Sequence, residues 1–142
     1  MRLVSRCCAN MLGCDPVNSS SATIQRGDIF WIEPDEQLGS IPGYAHPHVV
    51  LQDDLFNRSR IETVIVCALS SNLKRANEPG NLLLEAGEGN LEKQSVVIVS
   101  QLASVRKDQL GGYIGTLSHE RVEQILAGIR FQQASFFNRQ QS

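Results

Sequence analysis

The chain is 142 residues long, 42% hydrophobic and 20% charged, with a formal net charge of −2. That length suits one domain around one core and leaves little room for a second. Mild acidity argues against a protein that lives on nonspecific attraction to phosphates, so any nucleic-acid contact must come from a local patch. No apolar run reaches the roughly 18–20 residues needed to span a bilayer.

Residues 1–24 carry Arg2 and Arg6 but no continuous apolar stretch, which argues against a secretory signal. They end in Asn18-Ser19-Ser20-Ser21, a polar linker without periodicity, and are expected to form a mobile extension outside the fold. Cys7, Cys8 and Cys14 fall in this segment without a Cys-x-x-Cys pair or a nearby His, so no zinc site is expected. Cys67 sits in an apolar run, where a reduced thiol acts as a small hydrophobe. These features favour a cytoplasmic protein with reduced cysteines.

The folded domain is expected over 25–135. Asp28 to Glu33 reads as a first strand, with Ile29 and Trp31 on one face and Phe30 and Ile32 on the other. Pro34, Gly39, Pro42 and Gly43 punctuate a loop that reaches His46. A second strand follows at His48 to Gln52 and a third at Thr63 to Leu69. The third is β-branched and apolar on both faces, hence central. A polar segment, Ser71 to Gly80, leads to a short strand at Leu82 to Leu84. After a turn at Gly87 to Asn90, Ser95 to Val105 is a long strand. Five short strands with turns between them point to a strongly bent sheet or small barrel. Ser118 is a helix N-cap, with Glu120 in the first turn. Val122, Ile125, Leu126 and Ile129 form one apolar helical stripe, weakened slightly by Gly128. A polar tail, 136–142, is expected to fray unless Phe136 and Phe137 dock.

Several of these segments together resemble the MazF/PemK family, the toxin ribonucleases of bacterial toxin–antitoxin pairs. The likeness rests on Arg26-Gly27-Asp28 before an aromatic strand, Pro47 before Val49-Val50-Leu51, Phe56-Asn57, and a hydroxyl after the Val64-Ile65-Val66 strand. Gln101-Leu102 closing a strand and Ile114-Gly115-Thr116-Leu117-Ser118 before the last helix extend it over about residues 25–133. The resemblance implies an α+β, mainly β fold: an SH3-like barrel of five to seven strands with a C-terminal helix. It also implies a homodimer that cleaves single-stranded RNA without metal or cofactor. The ribose 2′-OH attacks the adjacent phosphate and leaves a 2′,3′-cyclic phosphate, and a cognate antitoxin blocks the groove.

Such cleavage needs a base, a group on the phosphoryl oxygens and an acid for the leaving oxygen. In the family an Arg just before the proline of the second strand meets a Thr or Ser ending the third. The matching residues are His46 and Ser70, so the hydroxyl is kept and the guanidinium is replaced. An ordinary imidazole, with a pKa of about 6.5, transfers protons at neutral pH but lacks arginine's permanent forked charge. Ser40 and Ser100 stand where other members place a His and an acid. For RNA contact the candidates are Lys74 and Arg75, Gln101, and Tyr44 as a stacking surface. Arg58 and Arg60 read as a solvated face. His46 and His48, two apart with Asp53 and Asp54 downstream, are not expected to bind metal. The alternative is a weakened or inactive member in which the same barrel binds RNA or a partner peptide, since one scaffold hosts many functions.

Overall fold

Alternating β-branched residues and Gly-rich turns produce six strands. β1 is Asp28–Ile32, β2 His46–Val50, β3 Thr63–Ser70, β4 Leu82–Leu84, β5 Ser95–Arg106 and β6 Tyr113–Thr116. The computed structural model describes residues 24–33 and 45–141, with side chains as far as Ala134. The N-terminal extension up to residue 23 and the first loop over 34–44 lie outside the described residues, and with them Ser40 and the candidate Tyr44.

The strands form one antiparallel sheet in the order β4-β5-β3-β2-β1-β6. The sheet curls, and a turn rather than a strand ladder bridges its edges. Asn90 Nδ2 in that turn donates to the Ile114 carbonyl at 2.8 Å. Gly115 of β6 lies so close to the Gly89 backbone that any Cβ there would collide with it. The result is a six-stranded half-barrel with a C-terminal helix, the mainly β architecture that the sequence led us to expect.

β3 is central and apolar on both faces, as its composition required. One core cluster joins Ile29, Val49, Cys67, Leu69, Leu84 and Val97 to Val122 and Ile125 of the long helix. On the other face Ile24, Ile32, Val50, Val64 and Val66 pack together. Full burial of a side chain such as Ile125 contributes about 1.5–3 kcal/mol. That helix, His119–Gln141, follows the one-turn helix Asp54–Asn57; we call them α2 and α1. Ser118 caps α2, its Oγ accepting from Arg121 N at 3.2 Å. Gly128 is where α2 presses on the backbone of Gly80, which explains a poor helix former in mid-helix. The segment read as a polar tail continues this helix to Gln141.

Three local features differ from the sequence reading. β2 begins at His46, not His48, because its first residues pair with Ile32 and Trp31 of β1. Pro47 is tolerated there because the ladder to β3 starts only at His48. A sixth strand, β6, lies against β1; its four residues carry too little alternation to be read alone. β5 also contains a large bulge. Cys67 stands opposite Leu102 and Leu69 opposite Val97, so the four residues 98–101 of β5 span the one position of Ala68 on β3.

Arg26-Gly27-Asp28 is a structural knot. Arg26 Nε donates to the Leu51 carbonyl at 2.8 Å, and the buried Asp28 accepts from Gln25 N and Thr116 Oγ1. Asn57 is likewise buried, donating to Gln52 O and Asp54 Oδ1. Two of the recognisable sequence patterns therefore pin turns rather than do chemistry.

Candidate active-site cleft

The ends of β1, β2 and β3 open into a cleft of about 600 Å3, closed on its far side by the segment from Asn90 to Ser95. His46 and Ser70 both line it. Antiparallel register is what unites them. His48 pairs with Ala68 and Val50 with Val66, and the same register continued two residues sets His46 opposite Ser70. On its other side Ser70 pairs with Val96 of β5.

Each residue is held locally. The Ser70 Oγ accepts from Asn72 N at 3.1 Å, which orients the oxygen while the hydroxyl keeps a proton to donate. His46 is half-buried, and its carbonyl lies 3.0 Å from Nδ1 of His48. A carbonyl only accepts, so His48 carries its hydrogen on Nδ1. Burial lowers the His48 pKa below its ordinary value; the bond to the His46 carbonyl opposes that shift, and the charge of His46 adds to it. His48 is therefore a neutral strut behind His46.

The remaining candidates lie elsewhere. Lys74 and Arg75 sit on the 3-10 turn Leu73–Asn77 beyond Ser70, outside the cleft lining. Lys74 is exposed, and the Arg75 guanidinium is engaged by Glu78 through Nε at 3.1 Å and Nη2 at 3.2 Å. That pairing also holds the Glu78 carboxyl below its usual range. Gln101 is exposed in the β5 bulge.

Sequence reasoning missed other lining residues: Trp31, Ser71, Asn90, Glu92, Lys93 and Ser95. Trp31 is 44% exposed, a large aromatic surface at the mouth. A tryptophan two residues past Ile29, on the same strand face, was a legible signal. Lys93 and Glu92 gave none, because only the pairing of β5 with β3 brings them beside Ser70. Tyr113 also borders the cleft, its hydroxyl 2.6 Å from Thr116 Oγ1 and its ring edge-on to Phe30. Among the described residues no three His, Cys, Asp or Glu side chains gather closely enough to hold a metal ion. No helix among them is long and apolar enough to cross a membrane.

The arrangement offers an imidazole and a hydroxyl on adjacent strands, an aromatic face and a polar rim. Such a set can hold a phosphodiester and move a proton to or from it. Comparison with known proteins points the same way. The sequence pattern of the PemK-like, MazF-like toxins of type II toxin–antitoxin systems matches residues 25–132. Endoribonuclease MazF6 of Mycobacterium tuberculosis is 33% identical over 107 residues, spanning 75% of this chain and 94% of that protein. Endoribonuclease EndoA of Bacillus subtilis is 28% identical over 102 residues, spanning 72% and 87%. Among solved structures, a mycobacterial endoribonuclease in complex with its cognate antitoxin superposes with a TM-score of 0.64 at 18% identity, covering 79% of this chain and 96% of that one. MazF from Deinococcus radiodurans gives a TM-score of 0.63 at 17% identity, covering 78% and 96%. At those identities the structural matches speak for the fold.

Proposed function

Because the chain belongs to the PemK-like, MazF-like toxins of type II toxin–antitoxin systems, we propose that it is an endoribonuclease whose reacting groups are His46 and Ser70. The observation that carries this reading is their placement: His46 opens β2, Ser70 closes β3, and both line one cleft.

The chemistry follows from what each group can do. RNA supplies its own nucleophile, the 2′-OH, whose oxygen forms a bond to the adjacent phosphorus as the bond to the 5′-oxygen breaks. The proton leaves the 2′-OH and the leaving oxygen gains one. His46 serves as the proton-transfer group for these steps. Ser70 donates its hydroxyl hydrogen to a phosphoryl oxygen as charge builds there. No metal is required, and the product is a 2′,3′-cyclic phosphate. Trp31 offers a stacking face for an unpaired base. Lys74, Arg75 and Gln101, beyond the cleft, contact the strand on either side of it, and Tyr44 stacks from the first loop.

A cognate antitoxin occupying this cleft would silence the protein, as the partner of the solved mycobacterial relative suggests. A homodimer acting in the cytoplasm completes the reading.

The test is cleavage of a long single-stranded RNA by purified protein in EDTA, with the fragment ends analysed. Discrete cuts ending in 2′,3′-cyclic phosphate, absent in His46→Ala, support the proposal. RNA left intact by folded protein overturns it and turns attention to the same barrel as a binding module.

A further inference from the structure

We propose that Lys93 is the cation that neutralises the scissile phosphate, supplying the permanent charge that a histidine at position 46 lacks. This rests on the ribonuclease reading above and assigns one further residue to its site. The geometry comes from β5. Ser70 pairs with Val96, so the segment entering β5 runs alongside the end of β3 and carries Lys93 into the cleft lining. Among the described lining residues Lys93 is the one lysine or arginine.

Its backbone is fixed on both sides while its side chain faces solvent. Leu91 is buried, Ser95 Oγ donates to the Lys93 carbonyl at 3.1 Å, and Gln94 Nε2 donates to Glu85 Oε1 at 2.8 Å. Four other cations, all outside the cleft lining, are engaged by the fold. Arg75 is bound by Glu78, Arg26 donates to the Leu51 carbonyl, Lys107 Nζ reaches the carbonyls of Asn57 and Ser59, and Arg121 grips Glu88.

The chemistry needs this charge. As the 2′-oxygen attacks, negative charge accumulates on the phosphoryl oxygens, and a cation in place stabilises that transition state more than the substrate. An imidazole engaged in proton transfer is neutral for part of the cycle. An ammonium remains charged throughout and acts on phosphate as a point charge. The protein's net charge of −2 gives no general attraction to fall back on.

The experiment compares the full-length protein with Lys93→Gln, Lys93→Arg and the double variant Glu92→Gln/Lys93→Gln on a short single-stranded RNA containing one cleavage site. Lys93→Gln should lower kcat by about 10²-fold, with KM changed far less, and Lys93→Arg should recover most of the loss. The double variant restores the cleft's formal charge without restoring the contact, so it should stay as slow as Lys93→Gln. Recovery in the double variant would overturn the direct contact and leave only a background field. A wild type that cuts and a Lys93→Gln that cuts equally fast would overturn the assignment while the ribonuclease reading stands. RNA left intact by the wild type would overturn both. Matching melting temperatures confirm that the variants are folded.

Discussion

His46 opens β2 and Ser70 closes β3, two residues beyond the last pair of their ladder, His48 with Ala68, and both line one cleft. Each residue ends a strand that runs into the core, β2 through Val49 and Val50 and β3 through Leu69. Placement on rigid strands is what allows the two groups to hold one geometry through a reaction.

Ser70→Ala should therefore lower RNA cleavage by about 10²–10³-fold, the usual cost of removing one donor from a developing oxyanion. Stability should fall by no more than about 1 kcal/mol, because the lost bond, to Asn72 N, is solvent-exposed. Cleavage rates and urea midpoints measured together check this; a large stability loss would make Ser70 a structural residue.

His48 predicts an acid-side weakness. Burial lowers its pKa in the fold, so below the ordinary histidine value of about 6.5 the unfolded chain binds more protons than the native one. The stability from keeping this ring neutral is complete above that pH and is lost as pH falls toward the folded pKa. His48→Gln should flatten the fall in urea midpoint between pH 7 and 5.5, and an unchanged slope would remove His48 as its source.

The pair Glu88–Arg121 ties the edge-bridging turn to α2, with Nε to Oε1 and Nη2 to Oε2 both at 2.8 Å. Its main effect on Glu88 is to lower the carboxyl pKa through the Arg121 hydrogen bonds. That contribution is present above the ordinary Glu range near about pH 4.3 and disappears as pH falls through the folded value. Arg121→Gln should cost about 1 kcal/mol at pH 7 and much less near pH 3. Equal losses at both would assign the effect to packing.

Gly128→Ala sets two effects against each other. Helix propensity favours alanine by about 1 kcal/mol. Its Cβ, however, would run into the carbonyl oxygen of Gly80, a backbone atom that cannot swing aside. Overpacking typically costs about 1–3 kcal/mol, so the variant should be net destabilised. A raised melting temperature would show that α2 shifts away from β4 at little expense.

Much of this was legible along the chain. The Ser118 cap, the stripe Val122, Ile125, Leu126 and Ile129, and the doubly apolar β3 follow from local periodicity. The structure realises each of them because the same residues must cover the core. The family likeness also led to His46 and Ser70 before any strand was paired. Short-range rules stopped at β6 and at the β5 bulge, where four residues or a slipped register carry no periodic signal.

The sequence by itself determined most of the strands, the capped helix and the family, because each is written in neighbouring residues or in their order. Only the tertiary structure decided that His46 begins a strand, that Gly80 and Gly128 need their missing side chains, and that Trp31 and Lys93 share a cleft with Ser70. Those facts depend on which strands lie side by side. Antiparallel pairing joins residues by the sum of their positions rather than their separation, and nothing local encodes that sum.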